Sequence, residues 1–483
     1  MKINFLQKNN RGIILLNTIV FGLIAVSIVV AITSWFGVTY KSSRSVVQKE
    51  QAFHIAEAGI EYYRWHLAHS PQDFTDGNDA SVEQPYIHDF LDKDGNKIGE
   101  FHLMITPPEN GSTLVIVEST GYVEGSDGTK TIRVELAKPS FAKYAFVANS
   151  DMRFGAGTEI FGPIHSNEGI RFDGVAHNLI TSSLETYDDP DHSGALEWAV
   201  HTHDSPTDPL PPTALPDRFD VFESGREVGV PAVDFDGLTS DLAALKTKAQ
   251  EDGIYYGSSG RSGYHVVLRT DDKFTLYRVR SLMSPHSSCT NTLGDSDWGT
   301  WSVNQQQLIG TYNFPSNGVL FFEDHVWVDG QINGARLTIA AARFPDSPTT
   351  RRNIIINNDL KYTNNDGEDV VALIAQNNIN VGMYSDTSLE IDAALVAQNG
   401  RVGRHYYRAS WAGYPGCSPY HVRNQIDLYG MIGTNERYGF AYTDSTGYTT
   451  RNVTYDSNLL YGPPPEFPLT TDQYEILSWE AVD

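Results

Sequence analysis

The chain has 483 residues, of which 40% are apolar, enough for two or three folding units with a sizeable core and too apolar for a disordered tail. Its 60 acidic side chains against 35 Lys and Arg leave a formal charge of -25, which argues against a phosphate-coated partner, because nucleic acid binding needs clustered cations. With 2 cysteines, no zinc site built from three or four Cys can be assembled within one chain.

Residues 1–12 are short and polar, with Lys2, Lys8 and Arg11 as the charged side chains, and residues 13–38 then carry no charge. At about 1.5 Å per residue that uncharged run reaches about 39 Å, past the roughly 30 Å hydrocarbon core of a bilayer and well beyond a secretory h-region. The helix is expected to continue beyond the membrane surface, since Ala52, Ala56, Gly59 and Tyr63 fall on one face and Phe53, Ile60 and Leu67 recur by sevens. No Pro interrupts 13–67, so one helix of about 55 residues and roughly 80 Å is predicted.

Arg11-Gly12 before Ile13-Ile14-Leu15-Leu16, followed by Ala52-Phe53-His54-Ile55-Ala56-Glu57-Ala58-Gly59-Ile60-Glu61, resembles the N-terminal region of type IV pilins, above all PilX-like minor pilins and type II secretion minor pseudopilins. The match covers the first seventy residues or so. The resemblance implies a class III leader at 1–12, removed by a prepilin peptidase after Gly12, with Ile13 becoming the N-methylated mature terminus. It also implies a single-pass membrane protein whose N-terminus is inside and whose large domain is outside. The flanking charges do not settle this orientation, because Lys41, Arg44 and Lys49 follow the span.

One departure from the family pattern is informative. The fifth residue of the mature chain, glutamate in most pilins, is Asn17 here. In the family that carboxylate is thought to neutralise a neighbour's N-terminal ammonium inside an apolar filament core, where an unpaired charge is costly. Large tip pseudopilins similarly lack it, so the resemblance implies a tip or minor subunit; the bland alternative is an anchored protein that never polymerises.

After the helix of 13–69, residues 70–84 read as a surface loop. Segments 98–105, 114–123 and 129–136 then read as an antiparallel meander over 70–138, with Asn110-Gly111 and Asp127-Gly128 as its hairpin turns, and a long helix followed by such a meander agrees with the pilin core that the resemblance implies. Beyond Pro139, the runs ending at Asn167, Asn377, Asn399 and Asn435 share an apolar lead into Asn, and apolar runs centred on Ile339, Ile355, Ile374 and Val396 recur at roughly the 20-residue period of a solenoid turn. Asn side chains are expected to ladder at the turns. The fold class is therefore mainly β with one long N-terminal helix, the exported part a β-solenoid over 139–184 and 319–483 or else a β-sandwich. Residues 185–318 read as an insertion: a Pro- and Asp-rich extended loop over 188–216, a helix capped by Ser240 over 241–251, and a hairpin turning at Asp271-Asp272.

Export would allow Cys289 and Cys417 to close a loop of about 130 residues as a disulfide, worth on the order of 4 to 5 kcal/mol by chain entropy; two unpaired buried thiols are the alternative. No phosphate-binding loop, nucleophile elbow or dinucleotide fingerprint occurs, and no enzyme activity is expected, although a polysaccharide-acting surface enzyme stays as a minor alternative. No cofactor is expected beyond a divalent metal, for which His201, His203 and His192 among Asp188, Asp189, Asp191 and Asp204 are the candidate ligands, weighed against a solvated loop. Asp92-Lys93-Asp94-Gly95-Asn96 places its Gly too early for an EF-hand and reads as a turn. Trp411, Tyr414 and Tyr420 around Cys417 are the candidate rim for a glycan or protein partner. Together these readings predict a minor pilin or tip pseudopilin acting in assembly priming or adhesion, with other pilins as partners; a membrane-tethered binding protein outside any filament is the alternative.

Overall fold

The computed structural model describes residues 11–79, 81–108, 113–191, 194–471 and 473–482, with the side chains of residues 11–13, 239 and 240 outside the description. It divides into two compact units, one of Met1–Pro107, Val115–Leu136 and Ile476–Asp483, the other of Pro108–Leu114 and Ala137–Glu475. The molecule is mainly β with one long N-terminal helix.

In the first unit, helix α1 (Arg11–His69) has two characters. Its described residues 14–47 are all exposed, and this half is long and apolar enough to cross a membrane. From Ala52 onward a stripe of Ala52, Ile55, Ala56, Ile60, Tyr63 and Leu67 is buried, because these positions share one face at helical spacing. That stripe lies on an antiparallel sheet of β1 (Tyr86–Leu91), β2 (Lys97–Thr106), β3 (Val115–Val123) and β4 (Thr129–Ala137). In β3 the buried residues alternate as Val115, Val117, Ser119 and Gly121, which is the period of a half-buried strand. The helix axis comes close to the sheet because both sides are small: a Cβ on Gly121 would overlap the Ala52 carbonyl oxygen, and one on Gly59 would overlap the Ser119 hydroxyl.

A fifth strand, Glu475–Val482, completes this sheet beside β4, with Ser478 Oγ donating to Glu135 Oε2 at 2.8 Å. Residues 319–483 therefore do not all belong to the solenoid; the last strand returns to the first unit, where it covers the otherwise open edge of β4. Asp92 forms the β1–β2 turn, its Oδ1 accepting from the Asp94 and Asn96 amides at 2.9 Å each. The Asn110-Gly111 turn lies outside the described residues.

The second unit is a stack of parallel strands rather than a sandwich. One inward column runs Ile254, Leu320, Ile339, Leu373, Leu395, Ile432, Phe146, Ile164 and Ile180, each residue in register with the next. All except Ile254 are buried, so one apolar column supplies core to successive coils. The order of coils is not the order of the chain: the early strands Phe146–Ala148, Ile164–Ser166 and Ile180–Ser182 stack beyond the late strand Val422–Thr434. Similar Asn-ended segments cannot report such an order, since each is compatible with any like neighbour.

Nor is 185–318 a separate insertion. Arg226–Val228 pairs with Ile180–Ser182 at one end of the stack, while Ile254–Tyr256 pairs with Val319–Phe322 and Gly263–Arg269 with Val326–Gln331 at the other. Both ends of a solenoid expose unpaired backbone groups and need such caps. Helix α2 begins at Leu238 after Gly237, so Ser240 lies inside its first turn and does not cap it. Leu238, Leu242, Leu245 and Ala249 of α2 pack with Val319, Phe321 and Ala340.

Asparagines do ladder along one corner. Asn435 Nδ2 reaches the Asn399 carbonyl at 3.4 Å, Asn149 Nδ2 donates to Asn435 Oδ1 at 2.8 Å, and Asn167 Nδ2 to Asn149 Oδ1 at 2.7 Å. Asn167 also exchanges two bonds of 2.8 Å with the Val233 backbone. Asn167→Ala leaves several polar groups without these partners and is expected to lower stability by about 1–3 kcal/mol, read from a denaturant melt.

Asp392 sits in the same core, 5% exposed, with its Oδ2 accepting from the Tyr362 amide at 2.9 Å. Burial, opposed by that amide, pushes its carboxyl up to about 6. The folded state thus holds the proton more tightly than the unfolded chain, and stability rises as pH falls from about 6 towards the unfolded value of about 4. Asp392→Asn is expected to stabilise by about 1–3 kcal/mol near neutral pH and to change little near pH 4. Equal melting shifts at both pH values would contradict it.

Candidate functional site

The residues singled out in the sequence fall in three places. Gly12 and Ile13 lie in the first turn of α1, their side chains outside the described residues, and Asn17 is exposed on the same helix.

The second place is built around a disulfide. Cys289 and Cys417 are bonded at 2.07 Å and buried with Met383 and Tyr407, tying the loop after Lys273–Leu282 to the loop after Val402–Arg404. Beside it Trp411 and Tyr414 exchange backbone hydrogen bonds of 2.9 and 2.7 Å, and their rings lie 5.0 Å apart. Arg408 stacks over Trp411 at 4.4 Å. Tyr420 belongs to a neighbouring cluster, edge-on to Tyr384 at 4.6 Å, and its carbonyl accepts from Arg404 Nη2 at 2.7 Å. Trp411, Tyr414 and Tyr420 are 39%, 56% and 40% exposed, so each ring offers a face to solvent while its base is held. Arg404 is fully buried against Tyr407, and burial lowers its guanidinium to about 10, which leaves it charged at neutral pH.

The third place is a cluster of Asp189, Glu197, His201 and His203, whose potential ligand atoms all lie within 4.8 Å of one another. The sequence reads this region as solvated loop, but Val200–His201 is a solenoid strand paired in parallel with Ile170–Phe172, which carries His201 into the interior. Glu197 arrives on the short pair formed by Thr186–Tyr187 and Glu197–Trp198. His201 Nε2 lies 2.5 Å from Glu197 Oε2 and 3.7 Å from Asp189 Oδ2, and His203 Nε2 lies 2.9 Å from Glu197 Oε1. His201 Nδ1 lies 3.1 Å from the Trp198 carbonyl. Burial holds the His201 imidazole below its ordinary value, with the Glu197 charge opposing.

Surrounding groups fix the cluster. Arg171 reaches Asp189 Oδ2 at 3.7 Å and bonds Asp173, whose other oxygen accepts from the His203 amide at 2.8 Å. Asp191 lies apart from the four, paired instead with Arg437 at 2.5 Å; Arg437 and then burial act on its carboxyl in opposite directions, and the net effect is to lower it. His192 lies outside the described residues. Glu197 was not among the sequence candidates; its only signal was a spacing of four from His201, which has meaning on a helix and none in a loop.

No family model and no curated protein matches the chain. Among solved structures it is similar to the competence-associated pilin ComZ from Thermus thermophilus, at 13% identity over 90% of this chain and 97% of that one, with a TM-score of 0.31.

Proposed function

We propose that this chain is a pilin-like subunit, anchored by α1 in the cytoplasmic membrane with its β units outside, and that it serves as a minor or tip component of a type IV pilus-like or type II secretion-like filament. One observation carries the reading: α1 is a single helix suited to two environments. Its residues 14–47 are all exposed among the described residues, while Ala52, Ile55, Ala56, Ile60, Tyr63 and Leu67 of the same helix form the buried stripe on the sheet. A filament or bilayer supplies the apolar surroundings that the first half lacks. Arg11-Gly12 ahead of the apolar run supports processing by a prepilin peptidase, and Asn17 supports a position with no neighbour to neutralise. The exposed rings of Trp411, Tyr414 and Tyr420 supply a surface suited to adhesion or to contact with another subunit.

Mass spectrometry of the N-terminal peptide from native membranes tests the proposal. Loss of residues 1–12 and a methyl group on Ile13 is the expected result. An intact Met1 would leave only a tethered binding protein.

A further inference from the structure

We propose that Asp189, Glu197, His201 and His203 form a closed structural site for one divalent transition cation of the zinc class, fastening the 188–216 loop to the solenoid. The inference is independent of filament assembly.

The His201 ring is buried and oriented from one side. Its Nδ1–H donates to the Trp198 carbonyl at 3.1 Å, which in the neutral imidazole puts the lone pair on Nε2. The side chain is 2% exposed, and Nε2 makes no hydrogen bond, yet it points at carboxylate oxygens 2.5 and 3.7 Å away. An imidazole lone pair and a carboxylate oxygen at 2.5 Å repel unless a positive charge lies between them. A histidine ligand oriented by a backbone carbonyl on its other nitrogen is the usual arrangement around a bound metal.

The donor set and spacing agree with that reading. A tetrahedral ion with bonds of about 2.0–2.1 Å places its ligand atoms about 3.3 Å apart. The separations of 2.5 and 3.7 Å from His201 Nε2 to the two carboxylates bracket that value, and one ligand atom from each of the four residues lies within 4.8 Å of the others. Two imidazoles with two carboxylates favour a borderline ion over calcium or magnesium, which prefer all-oxygen shells. Asp189, Glu197 and His201 are buried and His203 is half-buried, so the shell closes around the ion, as in a structural site. Asp189 also faces the Arg171 guanidinium at 3.7 Å, which holds its carboxylate in place beside the two imidazoles.

The test uses the full chain in detergent, carrying no polyhistidine tag. Protein as purified is expected to contain about one zinc-class ion per chain by elemental analysis. After chelation, Zn²⁺ titrated by calorimetry is expected to bind once and to raise the melting temperature, and Co²⁺ to give the visible bands of a four-coordinate N/O site. His201→Gln is expected to weaken Zn²⁺ binding about a hundred-fold, and His203→Asn about ten-fold or more, whereas His177→Gln, outside the cluster, leaves it unchanged. Should His201→Gln fail to fold, the cobalt spectrum and the chelator-induced fall in melting temperature of the wild-type chain decide the matter. No retained metal together with no response to Zn²⁺ or Co²⁺ overturns the proposal in favour of a simple His201–Glu197 ion pair. Binding of Zn²⁺ or Ca²⁺ that survives both histidine substitutions overturns it as well.

Discussion

Gly121→Val is expected to release helix α1 from its sheet. A Cβ at this position meets the Ala52 carbonyl oxygen, the Ala56 amide nitrogen at 2.7 Å and the Ala52 carbonyl carbon at 3.0 Å. These are backbone atoms of a continuous helix, so no side-chain rotation relieves the overlap. Register adds a second constraint, because Gly121 pairs with Phe101 on one side and Lys130 on the other and cannot shift without moving three strands. The loss is expected to exceed about 3 kcal/mol, beyond ordinary overpacking. Limited proteolysis of the full chain in detergent reads the effect: new cleavage within 86–137 is expected, while the fragment containing the Cys289–Cys417 bond stays resistant. A variant as protease-resistant as wild type would mean that helix and sheet do not approach this closely.

Removing the disulfide carries the other large effect. Cys289 and Cys417 are 128 residues apart, and closing a loop of that length restricts the unfolded chain by about 5 kcal/mol in the chain-entropy account. The bond also anchors the small core of Met383 and Tyr407, next to which Arg404 holds the Tyr420 carbonyl. Cys289→Ser with Cys417→Ser is therefore expected to lower the denaturant midpoint of the second unit and to expose residues 405–421 to protease. A reducing agent applied to the wild type is expected to reproduce the shift. If reduction frees both thiols and the midpoint stays where it was, the loop-closure account fails.

The site regions differ in how far local sequence could locate them. Trp411, Tyr414 and Tyr420 were legible as a dense run of rings around Cys417, because they lie within one loop, but their division between a Trp411–Tyr414 pair and a Tyr384–Tyr420 pair was not. His201 and His203 were visible as a pair, but their neighbours were not separable. Asp188, Asp191 and Asp204 are as close in sequence as Asp189, yet only Asp189 joins Glu197 and the two histidines in the cluster. The choice depends on Val200–His201 adding to the Ile170–Phe172 strand, a pairing with no turn signal between its partners.

What the sequence determined by itself is whatever depends on near neighbours. The apolar run of α1, its Ala52-Ala56-Gly59 face, the alternation in β3 and β4 and the Asn-ended segments follow from periods of 3.6 or 2 between adjacent residues. Tertiary structure decided what depends on distant partners: the Glu475–Val482 strand beside β4, the Ile432-to-Phe146 step that places early coils after late ones, and Glu197 beside His201. The physical reason is that parallel stacking requires only an apolar residue facing an apolar residue. Many coil orders satisfy that local rule, and the choice among them comes from burying every coil face and covering both ends at once.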